Sequence, residues 1–155
     1  MAAKTDIKQD IKQSKPFEHT SAEAIVALLR TADEIKRRLS EVTSQLDITP
    51  QQYNVLRILR GAGKEGLPTL EIGKRMIERS PGITRLIDRM EKKRLVQRKR
   101  SGSDRRCIPC FITQKGLDVL DQLERPILKL QSNIEAHMST AELSKLIDLL
   151  DEMRK

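Results

Sequence analysis

Hydrophobic residues recur at helical spacing along most of the chain, and this pattern predicts a mainly α-helical protein with one small β-hairpin. In the first predicted helix the apolar positions are spaced alternately four and three residues apart, as in a helix that packs against another long helix. These positions are Leu28, Ala32, Ile35, Leu39, Val42 and Leu46. The partner is either a neighbouring helix of the same chain or a helix of a second subunit. Thr20 and Glu23 have capping-box spacing, which predicts that the helix begins at Thr20.

Residues 1–18 are too polar to bury much surface, and we expect a flexible arm there. After the first helix, Thr49 and Gln52 form a second capping box, and Gly61 and Gly63 end the helix that it starts. A short extended piece at residues 66–67 follows. Thr69 is then expected to cap a short third helix that runs to residue 77.

A fourth helix follows a brief link at residues 78–79, with Ser80 as its cap and Pro81 at its first position. Its apolar side chains fall at relative positions 0, 3, 4 and 7, which indicates one buried face. They are Ile83, Leu86, Ile87 and Met90, and the opposite face carries Thr84, Arg85, Asp88, Arg89 and Lys92. Two helices in this order predict a helix-turn-helix whose second helix enters the major groove of DNA.

The apolar spacing changes to two after Leu95, which predicts a basic β-hairpin, or wing, directly after the recognition helix. Its second strand is expected to direct alternate side chains to opposite faces, with Pro109 where no ladder hydrogen bond is needed. Ile108, Cys110 and Ile112 would share one face, and Cys107, Pro109 and Phe111 the other. We expect the tip, residues 101–106, to lie along a minor groove.

Two further helices complete the pattern. Thr113 is expected to cap a long fifth helix that Pro126 should kink, because proline lacks a backbone donor. Ser139 and Glu142 make a capping box for the last helix, which again has one apolar face.

Charge is distributed unevenly along the 155 residues, whose formal net charge is +8. Residues 74–106 contain thirteen Lys and Arg against four acids, while the rest contains seventeen basic and eighteen acidic residues. Such a local excess is typical of a surface that binds phosphates. Only three aromatic residues are present. Proteins that bind single-stranded nucleic acid stack its bases on aromatic side chains, so this scarcity argues against that class. Because neither a secretory signal nor a membrane span is evident, we expect a cytoplasmic protein.

Three stretches carry motifs of a known family. They are residues 46–59 (LDITPQQYNVLRIL), residues 81–96 (PGITRLIDRMEKKRLV), and the pattern Asp-x-Arg, five residues, Ile-Thr-x-x-Gly at Asp104, Arg106, Ile112, Thr113 and Gly116. Together they closely resemble the MarR family of bacterial repressors, from about residue 20 to the C-terminus.

The resemblance implies a winged helix-turn-helix at residues 49–112, with dimerisation helices at 19–48 and 113–155. It also implies a homodimer that binds a pseudo-palindromic operator. In many members of the family a small ligand or an oxidant releases the protein from DNA. In the family the Asp of the wing motif forms a salt bridge that fixes the wing, and the Arg enters the minor groove. Those roles would fall to Asp104 and Arg106.

The expected DNA contacts come from the recognition helix and the wing. The helix residues are Ser80, Pro81, Gly82, Thr84, Arg85 and Arg89, and the wing residues are Arg98, Lys99, Arg100, Asp104, Arg105 and Arg106. Arg85 is the best placed to pair with a guanine, although phosphate contact without sequence information is the alternative. Arg98, Lys99, Arg100 and Arg105 are interpreted as phosphate anchors.

Other chemistry is weakly indicated. Cys107 and Cys110 are three apart in a strand, which favours core packing for Cys110 over a metal or redox site. His19 and His137 fit solvent-facing positions near helix ends better than an effector pocket. We expect no cofactor, metal or enzymatic activity. The alternative functions are a low-specificity architectural DNA binder and a protein-interaction module with a silent wing.

Overall fold

The computed structural model describes residues 6–78, 82–99 and 108–155. Its helices are α1 (Ile7–Asp10), α2 (Thr20–Ser44), α3 (Pro50–Ala62), α4 (Thr69–Arg75), α5 (Ile83–Lys92), α6 (Gln114–Glu135) and α7 (Thr140–Glu152). Its strands are β1 (Leu67–Pro68), β2 (Val96–Arg98) and β3 (Pro109–Ile112). The predicted fold class, mainly helical with a small β-hairpin, is confirmed, and the hairpin is part of a three-stranded antiparallel sheet. The chain divides into two compact units, residues 1–38 and 39–155.

The first unit contains a local structure that the sequence analysis did not foresee. Residues 7–10 form one helical turn, which the Asp6 side chain caps by accepting from the Lys8 backbone N–H at 3.0 Å. Arg30 Nε lies 2.8 Å from Asp10 Oδ2, and Lys8 Nζ lies 3.4 Å from Glu23 Oε2. Two ion pairs therefore join residues 6–10 to helix α2.

The capping box expected at Thr20 is wrong, although α2 does begin at that residue. The His19 carbonyl accepts from the backbone N–H groups of Ala22 and Glu23, so Thr20 is already inside the helix. The Glu23 carboxylate faces Lys8 instead of the start of its own helix.

The second unit holds the hydrophobic core. Helix α3 contributes Val55, Leu56 and Leu59, and the first half of α6 contributes Val119, Leu120 and Leu123. Val42 and Leu46, the last two positions of the predicted seam, pack against this core. The seam therefore has an intrachain neighbour at this end.

Three of the predicted caps are confirmed, at Thr49, Thr113 and Ser139. Thr49 and Gln52 form the predicted reciprocal box at α3, and Ser139 and Glu142 form one at α7. Thr113 caps α6, where its hydroxyl accepts from the Gly116 N–H at 3.1 Å. Each of these caps is made within one stretch of four residues.

Helix α4 is shorter than predicted and starts differently. Its N-cap is Pro68, without a side-chain hydrogen bond, so Thr69 is the first helical residue and not the cap. The helix stops at Arg75 because Met76 turns to extended backbone, and the Ile77 N–H donates to Asn54 Oδ1 at 2.9 Å. Residues 76–78 therefore lie outside the helix, which was predicted to run to residue 77.

The sheet has the order β1-β3-β2, all antiparallel. The short extended piece before α4 thus joins the predicted hairpin as a third strand. Pro109 is the first residue of β3 and lies opposite Pro68. Because proline has no backbone N–H, this pair leaves no donor without a hydrogen bond. Cys110 is buried and Ile112 half-buried as expected, whereas Ile108 precedes the strand and is exposed.

The Ile-Thr-x-x-Gly motif has a direct physical explanation at the junction of β3 and α6. The Thr113 hydroxyl donates to the carbonyl oxygens of Arg94 and Leu95, at 2.7 and 3.0 Å. A Cβ on Gly116 would lie 2.4 Å from the Leu95 carbonyl oxygen, closer than atoms can approach. The motif therefore joins the start of α6 to the end of the helix-turn-helix.

Candidate nucleic-acid interface

Helix α5 presents two different faces. Ile83, Leu86, Ile87 and Met90 are buried, as the apolar spacing predicted. The opposite face exposes Thr84, Arg85, Arg89 and Lys92 to solvent. No carboxylate of the described residues pairs with Arg85 or Arg89. Their guanidinium groups are therefore available to an external anion, and guanidinium suits both phosphate oxygens and guanine edges.

The start of α5 lies later than the sequence predicted. Its first helical residue is Ile83 and its N-cap is Gly82, whose carbonyl accepts from the Leu86 N–H at 3.0 Å. The predicted cap Ser80 and first residue Pro81 lie outside the described residues. Gly82 has no side chain, so the backbone at this end of the helix is open to close approach.

Arg98, which was predicted to bind a DNA phosphate, pairs with carboxylates of its own chain. Its guanidinium lies 2.7 Å from Asp88 Oδ1 and 2.9 Å from Glu91 Oε2, both on α5. The Arg98 backbone N–H also donates to Glu91 Oε1 at 2.8 Å. The side chain is only 23% exposed. Arg98 thus joins the first wing strand to the recognition helix.

The same contacts change the electrostatics of α5. Burial tends to lower the pKa of Arg98, but the hydrogen bonds and charges of Asp88 and Glu91 outweigh burial and raise it. Arg98 compensates two carboxylates that would otherwise repel phosphates beside Arg85 and Arg89. The sequence did contain a signal for this pairing, because Asp88 and Glu91 are two of only four acids in the basic segment.

Lys99 follows Arg98 directly and has the exposure expected of a phosphate anchor. Its backbone N–H donates to the Pro109 carbonyl at 3.2 Å, which extends the pairing of the hairpin toward the tip. The remaining predicted wing residues, Arg100, Asp104, Arg105 and Arg106, lie outside the described part of the chain.

Two contacts distant in sequence hold the helix-turn-helix in place. Lys93 Nζ lies 2.9 Å from Asp47 Oδ2 and also donates to the Asp47 carbonyl, which joins the end of α5 to the loop before α3. The hydrogen bond from Lys93 lowers the pKa of Asp47. At the other end of the motif, Gln51 Nε2 donates to Glu78 Oε2 at 3.3 Å. None of these pairs was predicted, since their members are 27 to 46 residues apart.

Cys110, His19 and His137 lie where the sequence predicted. Cys110 is fully buried, and burial raises the pKa of its thiol to about 11, as core packing implies. Cys107 lies outside the described residues. His19 and His137 are exposed next to helix ends.

Within residues 6–78, 82–99 and 108–155, no His, Cys, Asp or Glu cluster has the composition of a metal site. No helix there is both long and apolar enough to cross a lipid bilayer.

Residues 48–108 match the model of the MarR family. The HTH-type transcriptional regulator MhqR of Bacillus subtilis is 29% identical over 66% of this chain and 70% of its own length. The HTH-type transcriptional regulator YsmB of the same organism is 32% identical over 71% of this chain and 73% of its own. The homoprotocatechuate degradative operon repressor of Escherichia coli is 24% identical over 82% of this chain and 84% of its own.

Solved structures agree with these sequence relatives. A MarR transcription factor from Planctomyces limnophilus shares 38% identity, with a TM-score of 0.66 over 88% of this chain and 98% of that one. A cysteine-to-serine mutant of Escherichia coli MarR, complexed with operator DNA, has a TM-score of 0.74 at 23% identity, covering 96% and 99%. NadR in complex with 4-hydroxyphenylacetate has a TM-score of 0.71 at 23% identity, covering 91% and 99%.

Proposed function

Since this chain belongs to the MarR family of winged helix-turn-helix transcription regulators, we propose that it is a homodimeric repressor that recognises a pseudo-palindromic operator. The observation that carries the proposal is the division of α5 into a buried apolar row and an exposed row with Arg85 and Arg89, which no carboxylate of the described residues pairs. A helix with this division, followed by a basic hairpin, fits the major groove while the hairpin reaches the adjacent backbone.

Base reading is assigned to the first turns of α5. Arg85 lies one turn closer to the helix start than Arg89, so its fork reaches deeper into the groove and can pair with guanine O6 and N7. Thr84 offers a methyl group to thymine, and Gly82, with Ser80 and Pro81 before it, permits close approach of the backbone.

Phosphate contacts are assigned to the wing. Lys99 is the described member of this group, and the others are Arg100 and Arg105. Arg106 is assigned to the minor groove, and Asp104 to the salt bridge that fixes the wing. Each phosphate contact contributes affinity without sequence information, so these residues position the protein and α5 selects the site.

Dimerisation is supported by apolar side chains that the described chain leaves uncovered. Helix α7 buries none of its 13 residues, and Leu146, Ile147 and Leu149 are exposed along it, as is Met153 at its C-cap. An isolated helix of this length is marginal in water, so it needs a packing partner. A second copy provides one, and it supplies the second recognition helix that a two-fold operator requires.

The test begins with DNA selected from a random pool by the purified protein. We expect two half-sites about 10 base pairs apart, and a preference of about a thousandfold or more over random DNA. Arg85→Ala should cost about 1 to 3 kcal/mol on the operator and relax one base position in each half-site. Lys99→Ala is the matched control and should weaken all sequences alike.

Two results would refute the proposal. Equal affinity for operator and random DNA would indicate an architectural DNA binder. A monomer by light scattering at the concentrations that bind DNA would exclude the two-fold arrangement.

We further propose that a small ligand releases the repressor from DNA. NadR, one of the structural neighbours, was solved with 4-hydroxyphenylacetate. Release would appear as a loss of operator affinity on adding the ligand, without loss of folded structure.

A further inference from the structure

The backbone that leads to the recognition helix is held by two polar side chains of α3, neither of which is assigned a DNA contact. The Ile77 N–H donates to Asn54 Oδ1 at 2.9 Å, and Gln51 Nε2 donates to Glu78 Oε2 at 3.3 Å. Ile77 and Glu78 are the last residues that the structure describes before Gly82, the N-cap of α5. Residues three apart on a helix share a face, so one face of α3 meets this segment.

Side-chain packing does not fix residue 77. The Ile77 side chain is 79% exposed, more than any other large hydrophobic side chain of the described residues. Met76 before it is buried, but its backbone is extended, so α4 has already ended there. A side-chain oxygen that accepts from a backbone N–H can replace the carbonyl that a continued helix would supply. The hydrogen bond to Asn54 therefore sets the position of the Ile77 backbone.

Asn54 is mounted on the core, and the segment that it holds lies next to the start of α5. Val55 and Leu56, which follow Asn54 on α3, are fully buried. A Cβ built on Gly73 of α4 would lie 3.6 Å from the side chain of Ile83, the first residue of α5. Close-packed elements transmit a displacement to their neighbours. A shift at the end of α4 therefore reaches the first turn of the recognition helix.

We propose that Asn54 is a positioning residue for sequence reading. Its hydrogen bond to Ile77 sets where α5 begins, and so how Arg85 meets a base in the major groove. A bidentate guanidinium–guanine pair needs its geometry held within about 0.5 Å, whereas the flexible point charge of a lysine follows a phosphate over larger shifts. Loss of the Asn54 acceptor should therefore lower selectivity more than it lowers non-specific affinity. This role rests on the proposed function, whereas the hydrogen bond itself does not.

The first measurement uses the free full chain without DNA. Hydrogen exchange of the Ile77 amide is followed by NMR in wild type and in Asn54→Leu, which has a side chain of similar size but no acceptor. The Ile77 amide should exchange about tenfold or more faster in Asn54→Leu. Asn54→Asp keeps an acceptor oxygen and should retain slow exchange. The internal control is the Thr113 N–H, which donates to the Leu95 carbonyl at 3.1 Å and should exchange alike in every variant.

Asn54→Ala removes the same acceptor without adding an apolar side chain. It should accelerate Ile77 exchange as Asn54→Leu does, which separates the lost hydrogen bond from any misfit of leucine.

The second measurement is selectivity, the ratio of operator affinity to affinity for the same DNA with one base pair replaced. The replaced pair is the one at which Arg85→Ala relaxes specificity. Asn54→Leu should lower this ratio about fivefold to tenfold and keep the wild-type salt slope, because no phosphate contact is lost. Asn54→Asp should keep the ratio, although its negative charge weakens binding to both DNAs. Lys99→Ala, the control for a lost phosphate contact, should also weaken both and keep the ratio.

A double variant tests whether Asn54 acts through Arg85. Arg85→Ala has already lost discrimination at this base pair, so adding Asn54→Leu should not lower the ratio further. An independent effect of Asn54 would instead add to that of Arg85→Ala.

Three results would overturn the inference. One is wild-type Ile77 exchange in both Asn54→Leu and Asn54→Ala, which would mean that the contact does not hold this segment. Another is equal weakening of binding to the two DNAs by Asn54→Leu, which would leave Asn54 a structural residue only. The third is a loss of selectivity in Asn54→Asp as large as in Asn54→Leu. Absence of any sequence preference in wild type would refute the proposed repressor, while the exchange of the Ile77 amide would still report its contact with Asn54.

Discussion

Replacing Arg98 by Ala tests how the recognition helix is aligned with the wing. The substitution removes the contacts of 2.7 Å to Asp88 and 2.9 Å to Glu91, while the backbone N–H of residue 98 keeps its bond to Glu91. We expect weaker DNA binding although Arg98 is not required to touch DNA, because the wing strand loses its side-chain link to α5.

The size of the effect follows from the exposure of the partners. Asp88 is 47% and Glu91 39% exposed, so solvent screens both pairs and each contributes about 0.2 to 1 kcal/mol. Two such pairs amount to about 0.4 to 2 kcal/mol, or about 1 to 8 °C in melting temperature for a chain of this size. The two released carboxylates also repel DNA, and we expect a total loss of about tenfold in affinity.

The assay compares Arg98→Ala with Lys99→Ala, which removes the same charge from the next residue. Operator affinity is measured as a function of salt concentration, and melting temperature is measured on each free protein. Lys99→Ala should lower the salt slope by about 0.9, because one phosphate contact is lost, and should leave the melting temperature unchanged. Arg98→Ala should keep the wild-type slope and melt earlier. Arg98→Lys should recover only part of the loss, since one ammonium cannot bridge both carboxylates as the guanidinium does.

The reasoning would be refuted if Arg98→Ala lowered the salt slope as much as Lys99→Ala and melted like wild type. That pair of results would mean that Arg98 leaves Asp88 and Glu91 to contact phosphate in the complex.

Three further predictions concern stability and thiol chemistry. Gly116→Ala should destabilise the fold by about 1 to 3 kcal/mol, because its Cβ would meet the Leu95 carbonyl; wild-type stability in urea unfolding would contradict this. Arg94 follows α5 with a φ of +59°, a left-handed conformation that strains any residue with a Cβ. Arg94→Gly should therefore stabilise the fold by about 0.5 to 1 kcal/mol in urea unfolding. A less stable variant would show that the backbone at residue 94 is not strained. Burial holds the pKa of Cys110 at about 11, so the native thiol should resist iodoacetamide at pH 8 and react only as the chain unfolds in urea. Rapid labelling of Cys110 in native protein, read by peptide mass spectrometry, would contradict its burial.

The sequence alone predicted features that depend on neighbours three or four residues apart. Thr49 with Gln52 and Ser139 with Glu142 formed the boxes expected of them, and the apolar row of α5 was buried as its spacing required. A hydrogen bond or an apolar face at this separation is formed within one helix. Distant parts of the fold therefore had little influence on it.

Tertiary structure decided the features that depend on contacts distant in sequence. Helix α4 stops at Arg75 because a side chain 23 residues earlier, Asn54, accepts from the Ile77 N–H. Arg98 turned toward the recognition helix because two carboxylates meet it there, although its charge alone resembled that of Lys99. Local pattern determines which residues carry charge and which face is buried. Only the folded chain determines which cations are already paired with a carboxylate and which are left for DNA or a ligand. The reason is that the fold decides which carboxylates come within hydrogen-bond distance of each cation.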